Sequence, residues 1–580
     1  MHATRQRRFL TGVLVTFSIL MSAAITAPFF YSNRTQPPQL EIRQTKDMGI
    51  HLAVMEQFDK VLRSGALYPR WLPETNYGYG NAWPNFYQPG FYYLTSLVYA
   101  VTDNWVDTLF VITALGLFAS GLAFYVLARL FFGKPASAIA AAVYMLLPYH
   151  LLDVFVRGAI PEYLSFVLLP LILCFFYRLG NEGRARYYAG LGVCYGACLM
   201  IHIPIAYLLS FIIVIYALVW SAAQRDWRIA LRIGLGMTVG VLLSAIYWVP
   251  AVSEIKYAVE TVTTLFQYDQ NYISLLYADS YGEVLGETFA IQASALLIVI
   301  AAVLWLKLSE SRRLKSSLPP LRAGTASAFF HESVWIGMGV FSLFMNLPVS
   351  YYVARLIPRI NVVAFPYRWL VFVCLFTALV TAALIDRLHG RIREAGKPGL
   401  ARLGTPDRMA LASAVAILAL KVWFSAYGVV IASLSSPMIT REMNFLCDTY
   451  CPAGAPAAGK LPLTERIVLE SSSGRSDILE WSPLFRKAVI TTDEPTTARF
   501  KTFKFPGWTA RVDGADVEIL SDPIEAQVIN VPQGEHTVEI TYGCTPARNL
   551  GAAISVSGLF LVFILMLSDG LRLWKRRQSP

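Results

Sequence analysis

Long apolar segments separated by short polar connections dominate the pattern of this sequence. The first apolar run extends from Phe9 to about Phe30 and follows Arg5, Arg7 and Arg8. It is long enough to cross a bilayer at ~20 residues and has no small-residue cleavage site, so it predicts an uncleaved signal anchor. Further spans are predicted at residues 105–131, 136–151, 162–178, 187–201, 204–221, 230–249, 289–306, 331–348, 368–385, 410–434 and 550–571, about twelve in all.

Two features inside this apolar pattern differ from a plain span. The aromatic segment Gly90 to Thr102 is about 13 residues long, which is too short for a crossing and predicts an interfacial or re-entrant helix. GLGVCYG (Gly190 to Gly196) and GLGMTVG (Gly234 to Gly240) contain G-x-x-x-G, whose small residues let transmembrane helices approach closely. They predict packing seams between helices rather than phosphate-binding loops.

The pattern changes between about Ser435 and Tyr542, where period-2 alternation replaces long apolar runs. VINV, PQGEH and TVEITY form two short alternating runs around a glycine turn, and ARVDGADVEI has the same pattern with Asp513-Gly514 as a tight hairpin. These runs predict a small extracytoplasmic β-sandwich. The predicted domains are 1–434, a multispanning membrane domain with its first outward loop at 31–104, then 435–548, the β-sandwich, and 549–580, a final helix with a basic cytoplasmic tail.

Composition agrees with a polytopic α-helical membrane protein, since 56% of the 580 residues are hydrophobic, 15% are charged and the mean hydropathy is +0.49. The net charge of +11 does not indicate nucleic-acid binding, because Lys and Arg concentrate in short connections on one side of the predicted membrane. The positive-inside rule then places both termini in the cytoplasm and the loop at 31–104 outside.

The seven cysteines divide by environment. Those in predicted spans suit small apolar positions: Cys174, Cys194, Cys198 and Cys374. Cys447, Cys451 and Cys544 lie in the outward region, where an oxidising compartment permits a disulfide, and CDTYC is able to close a small loop. Free thiols are the alternative, and no cysteine or histidine pair has zinc-ligand spacing near another.

Candidate chemistry is concentrated in the polar loop from Asp47 to Tyr93, which carries carboxylates, a histidine and many Trp, Tyr, Pro and Gly residues. This composition favours a structured loop that binds a polar ligand. In the predicted topology, polar residues from distant parts of the chain share the outer membrane face: Asp47, His51, Glu56, Asp153, Arg157, Glu162, His202, Glu254, Arg355, Arg359 and Arg368. Arginine binds phosphate through a bidentate fork and a carboxylate is able to act as a base, so the set suits a substrate that carries phosphate.

Several motifs occur in a fixed order along the chain: Asp47-x3-His51, GALYPRWLP, GYGNAWPNFYQPGFYYLTSLVYA, LLPYHLLDVFVRGAIPEY, IHIP, SAIYWVPAVSE, FPYRWL and a terminal FPGWTARVDG/VPQGEHTV module. In this order they resemble the bacterial membrane family called 6-pyruvoyl-tetrahydropterin synthase-related. The layout is remotely similar to the GT-C superfamily of integral-membrane glycosyltransferases, whose first outward loop carries an acidic catalytic residue.

This resemblance implies a GT-C-like bundle of the bacterial inner membrane that transfers a sugar from a polyprenyl-phosphate-linked donor to an extracytoplasmic acceptor, which is a cell-envelope glycan, lipid or protein. The sequence has no P-loop and no nucleotide fingerprint, so an activated donor would arrive through the membrane. Such a lipid donor would occupy a groove between helices with its phosphate at the outer mouth.

The resemblance also implies residue roles. Asp47 is the candidate catalytic base and Glu162 the second acidic site, and the alternative for Asp47 is an N-cap of the helix starting near Met48. The residues implied in substrate binding are His51, Arg157, His202, Arg368, Trp71 and Tyr87. Their alternatives are a satisfied interfacial histidine, an Asp153–Arg157 ion pair of little energy, a snorkelling arginine and an interfacial aromatic belt.

Cofactor and function class stay open at this point. A divalent cation, Mg or Mn, has Asp47, Asp153 and Glu162 as its candidate ligands. A lipid or glycolipid transporter or flippase and a non-catalytic membrane scaffold that binds envelope glycans are the alternative functions. Lys421 interrupts the apolar span 410–434, where an unpaired ammonium costs at least ~2.5 kcal/mol, so it predicts either an internal cavity with a carboxylate partner or a misplaced span.

Overall fold

The computed structural model describes residues 19–27, 42–43, 45, 47–258, 268, 272, 280–314, 323–394, 438–439, 450–456, 460–462 and 464–578. The predicted span at 410–434 with Lys421, most of the first span, and Cys447 lie outside these residues.

Helices form the described part of the chain as far as residue 394, and one more follows the β-strands. Their bounds are α1 Met48–Arg63, α2 Trp83–Phe86, α3 Gly90–Thr102, α4 Trp105–Ala128, α5 Lys134–Leu146, α6 Pro148–Leu152, α7 Ile160–Glu182, α8 Ala185–Ile201, α9 Ile203–Gln224, α10 Arg228–Leu243, α11 Ala245–Glu254, α12 Ser280–Leu314, α13 Ala323–Phe344, α14 Tyr351–Ala354, α15 Leu370–Glu394 and α16 Pro546–Gln578.

Six helices within the described ranges are long and apolar enough to cross a membrane, and the number rises to nine if each of three bent pairs is one span. The bends are 45° between Lys134–Leu146 and Pro148–Arg157, 70° between Arg228–Leu243 and Ala245–Tyr257, and 103° between Phe329–Phe344 and Pro348–Ala354. A polytopic helical membrane protein is therefore confirmed. The apolar pattern at 136–151, 230–249 and 331–348 did not reveal these breaks, and the total of about twelve spans stays a prediction.

The predicted glycine seam joins α8 and α10. A Cβ atom at Gly240 would lie 2.8 Å from both the backbone oxygen of Gly192 and the backbone nitrogen of Gly196. A Cβ at Gly196 would in turn lie 3.0 Å from the oxygen of Gly240. The two backbones therefore approach too closely for any larger residue, and the packing role of the G-x-x-x-G motifs is confirmed.

An all-β region follows the membrane helices and precedes α16. Its strands are β3 Ile467–Leu469, β4 Arg475–Ser482, β5 Phe485–Thr492, β6 Thr496–Phe503, β7 Trp508–Val512, β8 Ala515–Val517, β9 Leu520–Ser521, β10 Ala526–Val531 and β11 Gly534–Tyr542, while β1 Ile42–Arg43 pairs with β2 Met438–Ile439. They form a four-stranded sheet in the order β3-β6-β10-β9 and a five-stranded sheet in the order β4-β5-β11-β7-β8. The C-terminal β region is confirmed, and its extracytoplasmic side and the domain boundaries stay predictions.

One of the two predicted turns joins paired strands and the other does not. Val512 pairs with Ala515, so Asp513-Gly514 is the expected two-residue hairpin between β7 and β8. β10 and β11 lie in different sheets, because β10 pairs with β6 and β9 while β11 pairs with β5 and β7. The hairpin interpretation of VINV-PQGEH-TVEITY is therefore wrong. Alternation predicts that a segment is a strand, but it does not identify the strand's partner.

The β region packs against the loop between the first span and α3. Phe503 donates its backbone N–H to the carbonyl oxygen of Tyr79 at 2.8 Å, and their rings lie 5.3 Å apart. Trp71 is fully buried and contacts Trp508 edge to face at 5.6 Å. The loop and the β region thus share one apolar core.

Gly240→Ala is expected to lower the stability of the purified protein by about 1–3 kcal/mol, because the new methyl group overpacks the seam. Gly234→Ala is the matched control in the same helix, since a Cβ atom at Gly234 would have no neighbour within 4 Å among the described residues. Thermal unfolding of both variants in detergent measures the difference, and equal melting temperatures would contradict the seam.

Candidate functional site

Glu162, in the first turn of α7, is the centre of a buried cluster of charged side chains. Its Oε1 accepts a hydrogen bond from the hydroxyl of Tyr149 at 2.7 Å. Its Oε2 lies 3.0 Å from Arg157 Nη1, 3.0 Å from Arg368 Nε and 3.8 Å from His202 Nε2. Four residues expected at the outer face therefore meet, although Arg368 follows Glu162 by 206 residues in the sequence.

A π-helical turn at Asp153–Arg157 places the second carboxylate of the cluster. Arg157 is ion-paired with Asp153 one turn earlier, and its Nη1 donates to the Tyr149 hydroxyl at 2.9 Å. The predicted pairing of Asp153 with Arg157 is therefore confirmed, but Arg157 is 2% exposed and Asp153 is fully buried, so the pair is not the exposed kind that contributes little energy. Each member of such a buried ion pair depends on the other, because removing one residue leaves the charge of its partner buried and uncompensated.

Asp47 lies directly beside this cluster. Its backbone N–H donates to the carbonyl oxygen of Arg157 at 2.8 Å. The side chain of Asp47 makes no cap hydrogen bond to α1, and Thr45 Oγ1 instead accepts from the N–H of Met48 at 3.1 Å. Asp47 is therefore the N-cap residue of α1 by position, as the alternative has it, but its half-buried carboxylate makes no cap hydrogen bond and is available for another role.

Gly158 explains how Asp47 comes so close to the cluster. The residue has φ +68°, and a Cβ atom there would lie 2.1 Å from Thr45 Oγ1 and 3.0 Å from the backbone nitrogen of Met48. Any side chain would displace the segment that carries Asp47. The Arg157–Gly158 turn therefore packs directly against the start of α1 and fixes its position.

His51 lies one turn after Asp47 and is 4% exposed. Its Nδ1 is 3.1 Å from the hydroxyl of Tyr92. Burial lowers the pKa of the His51 imidazole from 6.5 to about 4, and the nearby charge of Asp47 opposes this effect only in part. The ring is therefore neutral near pH 7, which suits hydrogen bonding rather than charge pairing with a phosphate.

The structure separates the two aromatic residues that were predicted to bind a sugar. Tyr87 is half-buried, stacks on Trp83 at 5.1 Å and lies 5.9 Å from the ring of His51, so it belongs to the wall of the site. Trp71 lies in the core shared with the β region and is fully buried there. It is not brought together with Asp47 and Glu162.

Glu254 also belongs elsewhere. Its carboxylate pairs with Arg548 of α16 at 2.8 Å, and Asn85 Nδ2 donates to the same Oε2 at 2.8 Å. Arg70 donates to Asn85 Oδ1 at 2.8 Å, and Thr545 donates to Glu254 Oε1. These five residues form a second buried assembly, the Glu254 network, which joins the first loop, α11 and α16.

The other outer-face residues do not join the cluster around Glu162. Glu56 lines a separate cavity of about 550 Å³ on the far side of α1, and Arg355 lies over the ring of Tyr352 at 5.4 Å. Tyr149 and Tyr367 do belong to the cluster but were missed, with Arg157 lying 4.9 Å over the Tyr367 ring. The spacing of Tyr149, four residues before Asp153, was the sequence signal for the first of them.

Two of the three predicted metal ligands, Asp153 and Glu162, already have cationic partners in this arrangement. Both Asp153 and Glu162 are paired with the guanidinium of Arg157, and Arg368 supplies a second positive charge. Among the described residues, no group of three His, Cys, Asp or Glu side chains is placed to hold a metal ion. The divalent cation stays a prediction, and none of the roles assigned to these side chains depends on it.

The isoprenoid groove likewise stays a prediction, because neither described cavity is lined by Asp47, Arg157 or Glu162.

Sequence comparison identifies a family. The profile of the membrane-protein family described as the 6-pyruvoyl-tetrahydropterin synthase related domain matches residues 84–431, which is more than half of the chain. No curated protein matches the sequence.

Structure comparison finds similar solved proteins at low identity. The oligosaccharyltransferase AglB from Archaeoglobus fulgidus, solved with an inhibitory peptide and a dolichol-phosphate, is 15% identical, with 74% of this chain and 56% of that chain covered at a TM-score of 0.39. The arabinofuranosyltransferase AftD from Mycobacteria is 16% identical, with 73% and 27% covered at 0.45. ArnT from Cupriavidus metallidurans, bound to undecaprenyl phosphate, is 15% identical, with 73% of each chain covered at 0.39. This chain spans about half the length of the archaeal enzyme, and TM-scores this low carry no argument about activity.

Glu162→Gln is expected to destabilise the protein by roughly 3–5 kcal/mol, because it removes the negative charge between two buried guanidiniums. Glu182→Gln at the other end of α7 is the control, since Glu182 is 27% exposed and pairs with surface arginines. Thermal unfolding measures both variants. A melting temperature unchanged by Glu162→Gln would contradict the central place of this carboxylate.

Acidification is expected to destabilise the fold through His51. The pKa of His51 is about 4 when folded and about 6.5 when unfolded, so between these values the unfolded chain binds more protons and stability falls as the pH falls. His51→Gln should therefore flatten the pH dependence of the melting temperature between about pH 4 and 6.5. Replacing the exposed His389 by Gln should leave that dependence unchanged.

Proposed function

The chain belongs to the 6-pyruvoyl-tetrahydropterin synthase-related family of membrane proteins, and we propose that it is a glycosyltransferase that uses a polyprenyl-phosphate-linked sugar. The observation that carries the proposal is the close contact of Asp47 with the Arg157–Gly158 turn. This contact holds Asp47, whose carboxylate makes no cap hydrogen bond, against the backbone of Arg157, and the guanidinium of Arg157 shares Glu162 with that of Arg368.

Asp47 fits the role of general base. In the proposed displacement its carboxylate takes the proton of an acceptor hydroxyl, whose oxygen forms a bond to the anomeric carbon. The bond from that carbon to the phosphate oxygen breaks, and polyprenyl phosphate leaves. His51 and Tyr87 line the same position and would hold the sugar or acceptor through hydrogen bonds and ring contact.

Arg368 and Arg157 fit the role of phosphate binding. Arg368 is 13% exposed, whereas Arg157 is 2% exposed, so Arg368 is the guanidinium that a ligand reaches first. Its Nε donates to Glu162 and its Nη1 to the carbonyl oxygen of Val363, while Nη2 has no partner among the described residues. A phosphate of the leaving group would accept from that remaining nitrogen.

Glu162 fits a positioning role better than an acid–base role. Both of its oxygens are already engaged, by the Tyr149 hydroxyl on one side and by two guanidiniums on the other. It therefore orients the arginines, and His202 completes its surroundings. This assigns the acid–base work to Asp47 alone.

The donor chemistry suits the position of the site within the bundle. A lipid-linked donor reaches such a site laterally through the bilayer and needs no nucleotide-binding domain. The proposal also places the protein in a bacterial inner membrane with both termini in the cytoplasm, so that the acceptor is an extracytoplasmic glycan, lipid or protein.

Asp47→Asn is expected to lower the release of polyprenyl phosphate from a panel of polyprenyl-phosphate sugars by at least about 100-fold, because general-base catalysis contributes factors of this order. Asp477→Asn, at an exposed carboxylate of β4, is the matched control and should retain activity. Thin-layer or mass-spectrometric detection of polyprenyl phosphate measures release by the purified protein.

The same assay separates the alternative functions. Lipid or glycolipid transport that survives Asp47→Asn would favour a transporter, and binding of a glycan with no release from any donor would favour a scaffold. Equal release by the wild type and Asp47→Asn would remove the base assignment.

Arg368→Lys is expected to raise the KM for the donor by about tenfold or more and to change kcat less, because lysine keeps the charge but loses the guanidinium fork. Arg355→Lys is the control, since Arg355 lies outside the cluster. Steady-state kinetics with one active donor measures both. An unchanged donor KM for Arg368→Lys would contradict a phosphate contact at this residue.

A further inference from the structure

A cavity of about 830 Å³ lies where the β region meets the outer end of α11. On one side it is lined by Lys256 and Tyr257, which follow α11, and by the short segment at Pro452. Ala258 and Pro452 are paired as an isolated β-bridge, which fixes this side. Strands β7 and β8 and the turn before them form the opposite side. None of the residues around Glu162 contributes to it.

The cavity is lined by charged groups of both signs, of which Arg511 and Asp516 are paired with each other. The side chains of Lys256, Lys504, Glu518 and Glu525 line it, and none of them has a hydrogen-bond or ion-pair partner in the part of the chain that the structure describes. Beside that ion pair, the two other carboxylates disfavour an anion and the two ammonium groups disfavour a cation. A neutral molecule rich in hydroxyl groups satisfies both kinds, since each hydroxyl donates one hydrogen bond and accepts two.

Aromatic rings complete the lining. Tyr257 is 46% exposed, and Phe505 and Trp508 are mostly buried beneath the cavity. Lys256 Nζ lies 5.0 Å from the centroid of the Tyr257 ring, so the ring and the ammonium together present an apolar surface and a hydrogen-bond donor to a pyranose or furanose. A volume of this size accommodates an oligosaccharide of a few units rather than a single small ion.

Packed rings join the cavity to the candidate site. Phe505 lies 6.0 Å from Phe86, and Phe86 stacks on Tyr450 at 5.1 Å. Tyr450 meets Trp83 edge to face at 5.5 Å. Trp83 stacks on Tyr87, the ring beside His51 and Asp47. A continuous series of ring contacts therefore connects the lining of the cavity with the surroundings of the proposed base.

We propose that this cavity is a binding site for a neutral oligosaccharide. Its identification as the site that holds the distal part of a glycan acceptor rests on the proposed transferase function. The series of ring contacts that connects this cavity with the surroundings of Asp47 supports that role. Binding itself depends only on the lining of the cavity.

Binding is tested with the full-length protein in nanodiscs and a panel of neutral tri- and tetrasaccharides of glucose, mannose, galactose and arabinose, with trigalacturonate and inorganic phosphate as charged probes. Isothermal titration calorimetry measures affinity, and tryptophan fluorescence provides a second signal, because Trp508 lines the cavity. At least one neutral probe is expected to bind more tightly than either charged probe. Tighter binding of a charged probe, or no binding of any neutral one, overturns the proposal.

Variants at exposed positions tie binding to the cavity without disturbing the core. Tyr257→Ala and Glu518→Gln are each expected to weaken binding of the neutral probe by about tenfold. Tyr352→Ala, which removes a ring that is 65% exposed outside the cavity, is the matched control. Circular dichroism melting confirms that each variant is folded, and an unchanged affinity in both cavity variants overturns the assignment.

Failure of this inference is distinguishable from failure of the proposed function. Asp47→Asn is expected to keep the affinity for the neutral probe, since Asp47 does not line the cavity. Glycan binding without release of polyprenyl phosphate from any donor would reject the transferase and leave the binding site. Release of polyprenyl phosphate without binding of any neutral probe would do the reverse.

Discussion

The burial of two guanidiniums against one carboxylate is the constraint on which the outer part of the bundle depends. Arg157 and Arg368 each lie 3.0 Å from the same oxygen of Glu162, and the side chains are 2%, 13% and 0% exposed, respectively. Neither arginine is stable there without a negative partner, so α7, the π-helical turn and the start of α15 must meet in one arrangement. The backbone of Arg157 in turn positions Asp47, because its carbonyl oxygen accepts a hydrogen bond from the N–H of Asp47.

A second buried ion pair joins α11, α16 and the first loop. Glu254 and Arg548 are 3% and 2% exposed, and the hydrogen bond from Asn85 extends the pair into the first loop. The β region is attached at the same place, since Arg548 also donates to the carbonyl oxygens of Pro506 and Gly543. The two assemblies are separate in chemistry but share a neighbour, the loop that contains α2 and α3.

Local patterns in the sequence predicted local structure well. Apolar runs gave most helices, the spacing of Asp153 and Arg157 predicted their pairing across one turn, and the glycine motifs predicted the seam between α8 and α10. What these patterns lacked was information about distant partners. The local sequence around Glu254 and Glu162 does not show that Glu254 pairs with Arg548 and Glu162 with Arg368, because each of these partners is determined by the packing of elements far apart in the chain. Trp71 was predicted to bind substrate but is part of a core instead. The local sequence did not show this, because the β region that covers Trp71 begins hundreds of residues later.

The hydrogen bond between Glu254 and Arg548 spans 294 residues, and this distance has a consequence for biogenesis. A ribosome that adds roughly 5–20 residues per second needs on the order of 15–60 s to reach Arg548 after it has made Glu254. During that interval the nascent chain has a buried acid without its cation, in a membrane that offers few substitutes. The protein is therefore an expected client of insertion factors or holding chaperones until its last helix has entered the bilayer.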